Sequence, residues 1–334
     1  MEISYSPELL KRLDRLIVCG DLSAAELLLK ELGCRDTTSG CDVDIAVRRY
    51  YEARILVRRG FCREALELGK LSLDCLRERG VRFWVARCHL LLSSAYLGLG
   101  RYMDAMRHAE AAVHYYTWEV DESGQRVVAL KLLAWCLKNL GDWRGAERVL
   151  REAVDESGGA GVPLRLNLGI LLRKMGRIDE AVRVVSECLD LACGVGDDLR
   201  RSLCLLELGN ISVVKRDVEG GLRYAREARE IVERHGYRRE VVLAREIEGD
   251  IEVLRGNYDG AEVSYREGLL DAVEFASGGD LEYEILSRLA RVHVKLGKLQ
   301  EARREAERAL ELTERCGDLY AVSYTHLRAH ETRH

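Results

Sequence analysis

The chain has 334 residues, 52 of them lysine or arginine and 56 aspartate or glutamate, for a formal net charge of −4. That balance argues against a generalised nucleic-acid binder, which carries a clear basic excess. Hydrophobic residues make up 47% and prolines number only 2, which predicts an almost wholly helical protein with ample core. No run approaches the roughly 18 apolar residues of a membrane-spanning helix, and the start, MEISYSPELLKRLDRL, has no secretory leader pattern. The 11 cysteines are odd in number and scattered, without a CxxC pair. They read as small apolar fillers of a reduced, cytoplasmic chain.

Taken in order, the chain predicts one helical hairpin after another. The first turns at Gly20 and has its second helix anchored on Ala25; the next turn at Gly60 and Gly100, anchored on Ala65 and Ala105. Gly141 with Ala146, Gly176 with Ala181 and Arg216 with Gly221 follow, then Gly256 with Ala261 and Gly297 with Ala302. The anchors are 40, 40, 41, 35, 40, 40 and 41 residues apart, and glycine stands five before the anchor in seven of the eight units. A glycine there supplies the left-handed residue that ends a helix.

Other positions repeat in the same frame. Twelve before the anchor stand Ala53, Ser93, Ala134, Gly169, Gly209, Gly249 and Ala290, with Leu13 the exception. Thirteen before it stand Leu92, Leu133, Leu168, Leu208 and Leu289, replaced by Arg12, Glu52 and Glu248 in three units. Seven after it, small residues return at Ser72, Ala112, Ala153, Cys188, Ala228, Gly268 and Ala309. Small residues on both partners let two helices approach closely while larger apolar ones fill the seam. Three before the anchor, apolar residues from Leu22 to Leu299 are expected to pack there too, with Trp143 in the core. One hairpin cannot bury its apolar face alone, so stacking is required.

The Leu168-Gly169 and Leu208-Gly209 pairs, the turn glycines, the aromatics three before the alanine and the later alanines resemble the tetratricopeptide repeat. The resemblance covers about residues 6–316, without the usual end-of-repeat proline and with a unit nearer 40 residues than the family's shorter one. It implies an all-α, right-handed α-solenoid of about eight hairpins over residues 1–318. In such a superhelix the first helix of each hairpin lines the concave groove. That places Tyr50, Arg54, Arg58, Lys131, Trp135, Lys138, Asn167, Arg173, Lys174 and Asn210 on the groove. Glu246 and Asp250 add an acidic turn, and Arg291 and Lys295 a later basic one. A basic groove with one aromatic suits an extended protein or peptide segment with acidic side chains, although Trp135 also reads as partly buried core. The carboxylate-clamp version of this family is rejected: Lys131 and Asn167 match, but Trp135, Leu203 and Glu207 stand where the clamp needs polar or basic partners.

No catalytic signature is present: no GxxxxGK[ST], HExxH, GxSxG or strand-borne GxGxxG. No cofactor or metal is expected, and Gly158–Gly161 and Gly194–Gly196 read as loops between hairpins. The last residues, 319–334, break the apolar pattern, and SYTHLRAHET resembles translated sequencing-adapter DNA, which implies a read-through tail. His326, His330 and His334 share one helical face there and mimic a metal site without being one. The long, arginine- and glutamate-rich repeats resemble the sensory arms of bacterial transcription regulators, with effector domains expected beyond residue 320. The alternative is a free-standing scaffold or adaptor. In either case the expectation is a non-catalytic binding module, with self-association through apolar faces left open at the end of the stack.

Overall fold

The computed structural model describes residues 5–31, 42–118, 124–158, 161–276 and 280–316, and the descriptions below concern these residues. They form sixteen helices and no strand. The first eight are α1 (Pro7–Cys19), α2 (Leu22–Glu31), α3 (Val43–Arg58), α4 (Cys62–Glu78), α5 (Arg82–Gly98), α6 (Tyr102–Trp118), α7 (Gln125–Asn139) and α8 (Trp143–Glu156). The rest are α9 (Val162–Lys174), α10 (Ile178–Val195), α11 (Asp198–Lys215), α12 (Val218–His235), α13 (Arg238–Leu254), α14 (Tyr258–Ala276), α15 (Asp280–Lys295) and α16 (Leu299–Cys316). The chain divides into two compact units, Met1–Ser157 and Gly158–His334, each a stack of helical hairpins.

Each predicted hairpin turn closes in the same way. The seven turn glycines all have positive φ, from 69° at Gly100 to 85° at Gly20. Arg216, which replaces glycine in the sixth hairpin, is the one described non-glycine residue with positive φ (59°). The residue after the turn donates its N–H back to a carbonyl five positions earlier, as in Asp21 to Leu16 at 3.0 Å and Asp217 to Ser212 at 2.9 Å. This satisfies carbonyls that a helix end leaves open. Where that residue is Asp or Asn it also caps the second helix: Asp142 accepts from the Gly145 N–H at 2.8 Å and Asp217 from the Gly220 N–H at 3.0 Å. Both prolines, Pro7 and Pro163, sit in a first helical turn, where no backbone donor is lost.

The anchors are buried in every unit, and the small residues twelve before and seven after them are buried as well. Closeness is enforced at Gly169 and Gly249, where an added Cβ would stand 2.3 Å from the Val185 side chain and 2.4 Å from the Tyr265 ring. The three units lacking leucine are built differently at that position. Arg12 is exposed, while Glu52 and Glu248 are half-buried and pair with Arg48 at 2.9 Å and Arg229 at 3.1 Å. Burial three before the anchor is shallower than expected: Trp143 is only half-buried and Leu299 is exposed. Gly194 and Val195 belong to the last turn of α10, which ends at Gly196 in the left-handed conformation, so that segment is a helix end rather than a loop.

Within each unit every helix packs on the next, and the first helices also touch one another: α1, α3, α5 and α7 in one unit, α9, α11, α13 and α15 in the other. A row of first helices therefore runs along one side of each unit. Seven described cysteines are free thiols, but Cys75 is disulfide-bonded, which departs from the expectation of a fully reduced chain. No described helix is long and apolar enough to cross a membrane. The tail expectations, including His326, His330 and His334, lie outside the described residues.

Candidate functional site

The first-helix rows hold the predicted site residues: Arg54 and Arg173 are engaged in ion pairs, while Arg58, Lys131 and Lys174 are exposed. In the first unit Tyr50 is buried (4% exposed), a correction to its expected place on the groove surface. Its ring meets Tyr51 and Trp84 edge-on at 5.1 and 5.3 Å, and its hydroxyl accepts from the Arg87 Nε at 3.2 Å. Arg54 stacks over the same rings and binds Asp14 of α1. Asp14 also takes the Arg87 Nη2 at 2.6 Å, while the Arg87 guanidinium lies 4.9 Å above the Trp84 ring. One carboxylate thus joins arginines from α3 and α5 across a bed of aromatic faces. Burial pulls the Arg54 and Arg87 pKa values down, but Tyr50 and Asp14 outweigh it and both end above the ordinary guanidinium value. Burial likewise pushes the Tyr51 phenol far up, so it stays neutral. Arg58, at the end of α3, is exposed.

The α7 face is different. Trp135 is half-exposed (51%), a correction to its reading as partly buried core, and Lys138 Nζ lies 4.2 Å from its ring centroid. Lys131, one turn earlier on the same face, is exposed. Asn139 donates to the Trp135 carbonyl at 2.8 Å and finishes the helix. A large flat apolar surface thus stands beside two cationic side chains, on a helix packed on both sides. It can take an apolar or aromatic side chain on the ring and a carboxylate on the lysines.

In the second unit Arg173 of α9 binds Glu207 of α11, with Nε 2.6 Å from Oε1. Glu207 is nearly buried (4% exposed) and burial pushes its carboxyl above the usual range, against Arg173, the Asn210 side chain and Lys174, which act to lower it. Arg173 is therefore a structural partner rather than an open cation, and Asn210 is half-buried. Asn167 is half-buried and Lys174 exposed. Further along, Arg288 of α15 lies among Asp250 at 3.5 Å, Glu246 at 3.6 Å and Glu284 at 3.9 Å, and Asp250 also accepts from the Tyr265 hydroxyl at 2.5 Å. Arg291 and Lys295 are exposed on α15.

Of the partners, Asp14, Arg87 and Arg288 were not among the expected groove residues, and Glu207 entered only as a mismatch to the carboxylate clamp. The repeat frame contained the signal for one of them, since Asp14 stands eleven before Ala25 as Arg54 stands eleven before Ala65. Among the described residues no group of three or more His, Cys, Asp or Glu could hold a metal ion.

Tetratricopeptide-repeat profiles match residues 90–161, 162–187 and 283–316. Among solved structures, the apo form of the quorum sensor NprR from B. thuringiensis aligns over 92% of this chain and 86% of its own, with TM-score 0.72 and 14% identity. A Rap protein complexed with competence and sporulation factor aligns over 97% and 96%, with TM-score 0.60 and 14% identity. Aspartyl phosphate phosphatase F from Bacillus subtilis aligns over 96% and 97%, with TM-score 0.66 and 12% identity. These likenesses concern the fold. No curated protein matches the sequence.

Proposed function

We propose, on the premise that the chain belongs to the tetratricopeptide-repeat family, that it is a non-catalytic module whose first-helix face binds a protein or peptide segment. The observation that carries this reading is the α7 surface, where a half-exposed Trp135 stands between Lys131 and Lys138. Burying such a ring under a partner is among the largest single contributions an interface offers. The two lysines favour a segment with acidic side chains beside its apolar anchor. Arg54 in the first unit and Arg173 in the second each hold their own row of first helices, because their guanidinium groups are committed to Asp14 and Glu207.

Two solved relatives in fold support the class of ligand: one is a quorum sensor and one was solved in complex with competence and sporulation factor. The reading extends to a sensory arm of a larger regulator, with a free-standing adaptor as the alternative. Its non-catalytic part rests on the missing sequence signatures; the phosphatase among the relatives in fold carries its own activity.

An array of immobilised peptides with acidic and aromatic residues in varied order, probed with the full chain, tests the reading. A bound subset should lose about 30-fold in affinity with Trp135→Ala, in keeping with an aromatic hot spot of about 2 kcal/mol. Equal binding by Trp135→Ala would show that this face is not the site.

A further inference from the structure

The two units build the same interhelical joint with different chemistry. In the first, Ser72 of α4 donates to the Ala46 carbonyl at 2.7 Å and touches Cys88 of α5, with Oγ and Sγ 3.3 Å apart. In the second, Cys188 of α10 donates to the Val162 carbonyl at 3.2 Å and receives the Cys204 S–H of α11, with the two sulfurs 3.1 Å apart. The registers are identical: each pair is 16 residues apart, and each carbonyl lies 26 residues before the residue that donates to it. All four side chains are fully buried. A serine therefore satisfies the packing and the hydrogen bond at this joint, and the thiol at residue 188 adds reactivity that the packing does not need.

We infer that Cys188 and Cys204 form an oxidisable dithiol, a modification site that takes a small peroxide and closes into a disulfide between α10 and α11. The surroundings divide the roles. The S–H of Cys204, donated to Cys188, holds the Cys188 thiol below its ordinary pKa against the effect of burial, and Arg165 and Arg200 act in the same direction. That same hydrogen bond, with burial, pushes Cys204 far up. Cys188 is thus the attacking sulfur and Cys204 the resolving one. The Cys188 thiolate attacks one oxygen of hydrogen peroxide, the O–O bond breaks, and hydroxide leaves and is protonated to water. Cys204 then gives up its proton and attacks the Cys188 sulfenic acid; the S–O bond breaks and the departing hydroxide takes up that proton as the second water. Two thiols lose two electrons in all and the peroxide gains two. Peroxide is close to water in size, so local opening of the α10–α11 seam admits it. The closed disulfide ties α10 to the helix that carries Glu207 and Asn210.

The test treats the reduced full chain with hydrogen peroxide, alkylates all remaining thiols in denaturant, and maps the digest by mass spectrometry. The expected result is a joined peptide pair containing Cys188 and Cys204, released by dithiothreitol, in place of the two alkylated peptides. Cys188→Ser makes this joint chemically like the Ser72–Cys88 one. It should fold with an unchanged circular-dichroism spectrum and yield no joined pair. Alkylated Cys188 and Cys204 after a treatment that oxidises the exposed Cys193 would overturn the inference, as would Cys204 joined to Cys193 instead.

Discussion

The two units line their first helices up in the same way and then secure them by different means. In the first unit one carboxylate, Asp14, serves two arginines whose flat faces rest on Tyr50, Tyr51 and Trp84. In the second, aromatic support is sparse: Arg173 meets a nearly buried Glu207, and Arg288 lies among three carboxylates. Arginine on an aromatic bed loses part of its hydration but gains a dispersed attraction that survives removal of any one partner. A buried arginine–carboxylate pair has no such reserve, because either partner left alone is an uncompensated charge. The first-helix row of one unit should therefore tolerate change better than that of the other, and the unit with the tolerant row also carries the exposed tryptophan.

The sharpest way to break this comparison is Arg173→Ala. It strands Glu207 in the second unit and should cost about 3–5 kcal/mol in urea-induced unfolding; a loss below about 1 kcal/mol would mean that the pair does not join α9 to α11. Next in size is a pH effect confined to the first unit, where the Nδ1 atoms of His89 and His108 lie 2.9 Å apart. Burial, and then His108, lower the His89 pKa from 6.5 to about 4, and His108 is lowered as well. The neutral form is the one the fold prefers. Its contribution is fully present above pH 6.5 and is lost as pH falls from there towards 4. The expected loss is about 3 kcal/mol, read as a fall in melting temperature that His89→Phe flattens. Asp14→Asn should cost less, about 1 kcal/mol, since both arginines keep their aromatic bed and one hydrogen bond; a loss as large as that of Arg173→Ala would erase the distinction between the units. Lys131→Ala, on an exposed helical face, should change stability by less than about 0.5 kcal/mol.

The fold was legible because its determinants are local and repeated. A glycine at a turn and an alanine five residues later state the same backbone requirement seven times over, so that the substitution at Arg216 is read correctly from its neighbours. The site was legible only in part. The resemblance to the tetratricopeptide repeat implies an inner-side place for Arg54 and Arg173 on a first helix, but it does not say that Asp14, 40 residues before Arg54, or Glu207, 34 residues after Arg173, will reach them. Those pairings depend on which turns of successive helices come level, a property of the stack rather than of any one hairpin. Trp135 shows the converse. Its spacing fits a seam residue, yet the ring is left half in solvent, with Lys138 beside it.

We propose that the arginines of the first-helix rows hold the structure while Trp135 and Lys131 meet the ligand. The most direct measurement is paired. Affinity for an array-selected acidic peptide and urea stability are determined for the full chain, for Trp135→Ala and for Arg173→Lys, which keeps the charge but loses the bidentate fork. Trp135→Ala should lose about 30-fold in affinity at unchanged stability, and Arg173→Lys should lose stability while the folded protein binds as before. Full binding by Trp135→Ala, with affinity falling instead in Arg173→Lys under conditions where it remains folded, would contradict it.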